Sequence, residues 1–85
     1  MFKNGQLVLA QCQDYPYWPG KVLEYNSASD AYKVLFCGEK SYADISADCI
    51  INFTEEECRK IANSNRNNKE LIHSIRLAMK KFKKK

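Results

Sequence analysis

The sequence predicts a mostly β domain with helices at its C-terminal end. Residues 1–53 read as a five-stranded antiparallel β-barrel and residues 54–85 as helices. Three observations lead there. With 85 residues the chain has room for one small domain. Short apolar or alternating runs, separated by turn-forming residues, fill about the first 50 positions. After Phe53 the hydrophobic period changes from that of strands to that of helices.

The elements follow in order. Gly5 precedes Leu7-Val8-Leu9-Ala10, an apolar run that reads as a buried first strand. Asp14 to Gly20 forms an arch, because Pro16 and Pro19 lack backbone donors and hold φ fixed. A second strand covers Lys21 to Tyr25, and Asn26 to Asp30 is a polar turn. Tyr32 to Cys37 alternates and is rich in β-formers, which makes a third strand. Gly38-Glu39 turns into a fourth strand near Lys40 to Ile45, and a short fifth lies near Ile50 to Phe53. Thr54-Glu55-Glu56-Glu57 is a capping box that opens a helix to about Ala62. The run from Asn63 to Asn68 breaks it, and a second helix spans Lys69 to Phe82. On that helix Ile72, Ile75, Met79 and Phe82 form an apolar stripe. Lys69, Arg76, Lys80 and Lys83 form a basic stripe roughly 90° away, so the first can dock while the second stays wet.

Composition narrows the function. Hydrophobic residues are 45% and charged residues 28%, values of a folded rather than a disordered chain. No apolar run approaches the roughly 18 residues of a membrane span, and Met1 to Lys3 lacks a signal-peptide layout. A soluble intracellular domain, or a fragment of a larger intracellular protein, is expected. The net charge of +4 is uneven. Residues 1–65 carry six basic and nine acidic side chains, whereas residues 66–85 carry eight basic and one acidic, Glu70. A cationic end on a slightly acidic body points to a polyanion, nucleic acid first. The cysteines, Cys12, Cys37, Cys49 and Cys58, have irregular gaps and no Cys-x-x-Cys. With His73 the single histidine, no zinc set has its usual spacing, so no metal or other cofactor is expected. All four cysteines read as reduced thiols, mostly buried. One histidine on a helix also provides no triad for nucleophilic catalysis, and an enzyme is not expected.

The most specific signal is Pro16-Tyr17-Trp18-Pro19, preceded by Tyr15 and ten residues beyond Gly5. It resembles the signature of the PWWP domain family, with Tyr17 at the variable first Trp. Gly5-Gln6-Leu7-Val8-Leu9-Ala10 looks like the family's opening Gly-Asp-Leu-Val-Trp-Ala strand. Val34-Leu35-Phe36-Cys37-Gly38 looks like its aromatic third strand, and Ser46-Ala47-Asp48-Cys49-Ile50 like the approach to its last strand. The resemblance covers nearly the whole chain. It implies a five-stranded antiparallel SH3-like β-barrel of the Royal superfamily followed by a C-terminal helical bundle. It also implies a nuclear chromatin reader, part of a larger chromatin protein. Such a reader binds a methylated histone tail, histone H3 in transcribed gene bodies first, together with nucleosomal DNA.

By that resemblance the methyl-lysine cage is Tyr15, Trp18 and Phe36, with Glu39 at its rim and Cys12 at a weaker rim position. The residue types suit the ligand. A trimethylammonium donates no hydrogen bonds and is drawn to aromatic faces, at about 0.5–2 kcal/mol per contact. Glu39 adds long-range attraction and favours lower methylation states by accepting a hydrogen bond. Gln11 and Gln13 stand where family members often carry lysine in the first arch. The DNA footprint therefore falls on Lys21, Arg66, Lys69, Arg76, Lys80, Lys83 and the lysines after it. Nothing in the sequence is built to read base edges, so binding is expected to be sequence-independent and salt-sensitive. The competing reading is a non-specific DNA-binding module without methyl-lysine recognition.

Overall fold

The computed structural model describes residues 2–39 and 41–83. Five strands come first: β1 (Leu7–Ala10), β2 (Trp18–Asn26), β3 (Ala31–Phe36), β4 (Tyr42–Ser46) and β5 (Ile50–Asn52). A 3-10 turn, Ala47–Cys49, joins β4 to β5. Helices α1 (Glu55–Ser64) and α2 (Lys69–Lys83) follow. The strands form one antiparallel sheet in the order β4-β3-β2-β1-β5. The hydrogen-bonded ladder is open between β4 and β5, and the 3-10 turn spans the gap. Lys40, which the sequence reading places at the start of the fourth strand, lies outside the described residues, as do Lys84 and Lys85.

β1 explains its own uninterrupted apolar run. Val8 and Ala10 point into the sheet's concave core with Val22, Tyr32, Val34, Ile45 and Ile50. Leu7 and Leu9 point the other way, into a second core with Trp18, Phe53, Cys58, Ile61, Leu71, Ile75 and Ala78. A strand covered on both faces needs apolar side chains at every position. Each fully buried aliphatic contributes about 1.5–3 kcal/mol relative to exposure. Phe36 packs against both clusters and so lies where the two cores meet.

β2 begins three residues earlier than the sequence reading places it. Trp18 and Pro19 are strand residues paired with Ala10 and Leu9. Proline is tolerated near a strand's start, where one lost donor costs little, and the Pro19 carbonyl still accepts the Cys37 N–H at 2.9 Å. A bulge between Val22 and Glu24 then leaves Leu23 exposed.

α1 is capped as its sequence suggests. The Thr54 hydroxyl accepts the Glu57 N–H at 3.1 Å, while the Glu57 carboxylate turns to Lys60 at 3.5 Å instead of closing the box. Asn65 ends the helix, its side-chain amide donating to the Ile61 carbonyl at 2.8 Å. Asn68 starts α2 by accepting the Leu71 N–H at 3.1 Å.

The buried face of α2 differs from the expected stripe. Leu71, Ser74, Ile75 and Ala78 are buried, whereas Ile72 and Met79 flank the contact and Phe82 is 38% exposed. The helix is thus turned by roughly 60° from the face its large apolar residues define. Small residues are the reason: Ser74 and Ala78 let the helix approach closely. Gly38, at φ +80°, meets it there, and a Cβ on Gly38 would stand 2.7 Å from the Ser74 hydroxyl oxygen. Phe82 instead stacks on Phe53, with ring centroids 5.1 Å apart. The thiols also depart from expectation: all four are free, but Cys58 alone is buried and the other three are half-buried. No helix among the described residues is long and apolar enough to cross a membrane.

Candidate functional site

The arch between β1 and β2 is a shaped turn rather than a slack loop. The Gln11 N–H donates to the Cys49 carbonyl and the Tyr15 N–H to the Cys12 carbonyl, both at 2.9 Å. Gln13 takes a left-handed conformation, φ +39°, to close the turn. Tyr15 is thereby held clear of the body, 66% exposed. Trp18 is its opposite. It is 9% exposed, packs in the sheet–helix core, and its indole N–H donates to the Cys37 carbonyl at 3.2 Å.

Between these residues lies a cavity of about 420 Å³. Tyr15, Trp18 and Phe36 line it, as do Cys12 and Glu39, so all five residues expected at the cage and its rim share one space. Ala10, Pro16 and Ser41 complete the sheet side. Tyr17, outside the cavity, packs on the sheet–helix core. Two further lining residues come from far along the chain, Asn68 and Glu70, at the start of α2. Sequence reasoning missed them. The available signal was that Glu70 is the one acid in the basic C-terminal stretch, but no spacing tied it to the motif. The arrangement suits a cation that sheds water easily, with three aromatic residues and the acids Glu39 and Glu70 in one lining.

The basic residues divide into groups. Arg66 and Lys69 line an open groove of about 640 Å³ along the α1–α2 connection. Arg76 and Lys80 are exposed further along the same face of α2. Lys21 is exposed on β2. Lys83 is drawn to α1, its ammonium 3.3 Å from a Glu55 carboxylate oxygen. Lys81 is a further cation that the basic stripe did not include. It and Lys21 both lie near Cys37, where their charges favour the thiolate, although burial dominates and pushes that thiol up. Among the described residues no group of three or more His, Cys, Asp or Glu side chains is placed to hold a metal ion. His73 is exposed on α2.

The remaining aromatics lie outside the cavity. Phe2 and Tyr25 flank the buried Tyr32 at 5.3 and 4.7 Å between centroids. Tyr42 stays 63% exposed, with the Lys33 ammonium 5.3 Å from its ring centroid.

An open SH3-like sheet backed by two helices, with an aromatic cavity under its first arch, is the architecture the motif implies. The chain belongs to the PWWP domain family, whose sequence model matches residues 5–83. It is 26% identical over 98 residues to PWWP domain-containing protein 3 of Schizosaccharomyces pombe. That match takes in 99% of this chain but 24% of the relative, so the chain spans about a quarter of the curated relative's length. Among solved structures, a PWWP domain from Schizosaccharomyces pombe superimposes with a TM-score of 0.72 at 22% identity, covering 92% of this chain and 84% of that one. The Pdp1 PWWP domain, described as having binding sites for methylated H4K20 and DNA, superimposes with a TM-score of 0.66 at 24% identity. There the coverage is 88% of this chain and 80% of the other.

Proposed function

We propose that this domain is a nuclear chromatin reader that inserts a methylated histone lysine into the cavity of Tyr15, Trp18 and Phe36 while its basic surface lies on nucleosomal DNA. It has no catalytic role in this reading; any enzyme would lie elsewhere in a longer protein. The observation that carries it is the convergence of those three aromatics with Glu39 on one cavity. The likeness to the Pdp1 domain supports a histone tail and DNA as the two ligands. Histone H3 is the tail that the family resemblance suggests, and the Pdp1 likeness adds histone H4 as the tail to compare with it.

Each half is weak alone. Two or three aromatic contacts place an isolated methylated peptide near millimolar affinity, about −4 kcal/mol. DNA held by a few exposed cations binds without sequence preference and loosens as salt rises. On a nucleosome the second contact becomes intramolecular, so the two multiply. Arg66, Lys69, Arg76, Lys80 and Lys21 form the footprint; Lys83 contributes at its edge, because Glu55 competes for it.

Trp18 is the single tryptophan and lines the cavity, so its fluorescence reports ligand entry. Titration with trimethylated and unmodified H3 and H4 tail peptides is expected to give a methylation-dependent change. Phe36→Leu, which keeps apolar volume in both cores but removes the ring face, is expected to abolish it. Nucleosomes are expected to bind more tightly than peptides, with an advantage that shrinks as salt is raised. A silent Trp18, with equal binding to modified and unmodified nucleosomes, would sink the cage and leave a DNA-binding module.

A further inference from the structure

The aromatic cavity adjoins the start of β4. Ser41, one residue before that strand, lines it. β4 is an edge strand, with β3 on one side and no strand on the other among the described residues. The ladder to β3 fixes which backbone groups that edge presents. The Phe36 N–H donates to the Ser41 carbonyl at 2.9 Å, so Phe36 and Ser41 form a hydrogen-bonded pair. Antiparallel alternation then turns the N–H and C=O of Ala43 and Ile45 toward β3, opposite Val34 and Tyr32. Those of Tyr42 and Asp44 point away from β3, and both residues are exposed. Neither has a backbone hydrogen-bond partner there among the described residues. The charge along this edge is one-sided. Residues 41–52 carry Asp44 and Asp48 and no lysine or arginine. Lys33, abreast of Asp44 on β3, gives its ammonium to Glu24 at 3.3 Å and to the Tyr42 ring instead.

From this edge we propose that the peptide carrying the methylated lysine adds to the sheet beside β4, bonding to the outward N–H and C=O of Tyr42 and Asp44 with its methyl-lysine abreast of Ser41. The proposal rests on the reading that the cavity takes a methylated lysine. An unpaired strand edge is a template for an extended peptide: main-chain bonds supply affinity and alternate side chains supply selectivity. Ser41 shares a sheet face with Ala43 and Ile45, which belong to the concave core. A lysine abreast of Ser41 on that face enters the cavity. The peptide residue three positions away then falls beside Asp44 on the opposite, solvent-exposed face. A lysine or arginine there gains a carboxylate partner. The occupant is thus an extended basic segment with a cation three residues from its methyl-lysine.

The test compares three ligands by Trp18 fluorescence: trimethyl-lysine capped at both ends, trimethyl-lysine within a peptide of neutral residues, and that peptide with arginine three residues to one side or the other. The neutral peptide is expected to bind about tenfold more tightly than the capped lysine, the scale of one or two net backbone hydrogen bonds. Arginine on one side is expected to add about threefold at low salt. That gain should vanish in Asp44→Asn and persist in Glu56→Gln, which removes a carboxylate from α1. At saturation the Tyr42 and Asp44 amides are expected to exchange with solvent more slowly by NMR, while those of Ala43 and Ile45, already bonded to β3, keep their rates. Equal affinity for capped lysine and peptide, with a methyl-dependent Trp18 signal intact, overturns the proposal and leaves the cage. Unchanged exchange at Tyr42 and Asp44, or an arginine gain that survives Asp44→Asn, also overturns it. Slowing that follows protein concentration without peptide puts a second copy on the edge and overturns it too. A wild type with no methyl-dependent Trp18 signal overturns the cage reading as well.

Discussion

The two sides of the aromatic cavity are built differently. Trp18 is a core residue that also lines the cavity: 9% exposed, packed with Leu7, Leu9 and the helices, and tied by its N–H to the Cys37 carbonyl. Tyr15 is an arch residue, 66% exposed and held by a backbone turn. One wall is fixed by the same contacts that fold the domain. The other is held through its backbone turn and its ring stands in solvent. A small domain gains from this division, because a wall that is already part of the core comes at no extra ordering cost, while an exposed wall limits how much of the fold depends on the site. Phe36 stands between, half-buried and in contact with both cores.

The largest test of that contrast is Trp18→Ala. Truncating a buried aromatic of this kind costs about 3–5 kcal/mol. A domain of this length has roughly 4–13 kcal/mol in total. Trp18→Ala is therefore expected to leave much of the chain unfolded at room temperature, read as a lowered urea midpoint by circular dichroism. Trp18→Phe keeps a ring in the core but loses the bond to the Cys37 carbonyl. It should fall between, about 1–2 kcal/mol below wild type. A Trp18→Ala variant as stable as wild type would show that this wall is not part of the core.

How much of this could be read from the residues depends on how local the information is. The strands and caps were legible because alternation, prolines and Thr54 act within a few residues. The start of β2 was not, because Pro19 reads as a breaker until its pairing with Leu9 is known. The docking face of α2 is not legible from its large side chains, because Ser74 and Ala78 set the approach and Gly38, outside the helix, receives it. The sheet side of the cavity was legible through Tyr15, Trp18 and Phe36 as a family pattern. Its helix side was not: Glu70 lies more than fifty residues from the arch, and topology alone brings the two together.

A second test uses the thiols on the two sides. Cys58 is buried in the core that holds Trp18, and burial, with Glu57 and Glu55 nearby, pushes its thiol from the ordinary 9.0 up to about 11. The sign follows from linkage. Below about pH 9 the thiol is protonated whether folded or not, and its neutral packing stabilises the fold in full. Between about 9 and 11 the unfolded chain loses the proton first, so stability falls as pH rises. Cys58→Ala should flatten that part of a stability–pH curve relative to wild type. Cys12, half-buried on the cavity, should react with an alkylating reagent in the native state, whereas Cys58 should wait for unfolding. Equal rates for the two would erase the distinction between the core side and the exposed side.

The smallest expected change in energy is the most informative about function. Tyr15→Ala removes an exposed ring whose backbone hydrogen bond to Cys12 does not depend on the side chain. Stability should stay within about 0.5 kcal/mol of wild type. Affinity for a trimethylated peptide should nevertheless fall about tenfold, the value of one lost cation–π wall of roughly 1.4 kcal/mol. The Trp18 signal should persist at saturation, because that wall is unmoved. DNA affinity should not change, since Tyr15 carries no charge and lines the aromatic cavity, not the basic groove. This combination separates the two ligands on one molecule: binding of the tail is weakened while fold and DNA contact are kept. If Tyr15→Ala instead lowered the urea midpoint as Trp18→Ala does, the Tyr15 ring would belong to the core, and the two sides of the cavity would not differ in their share of the fold.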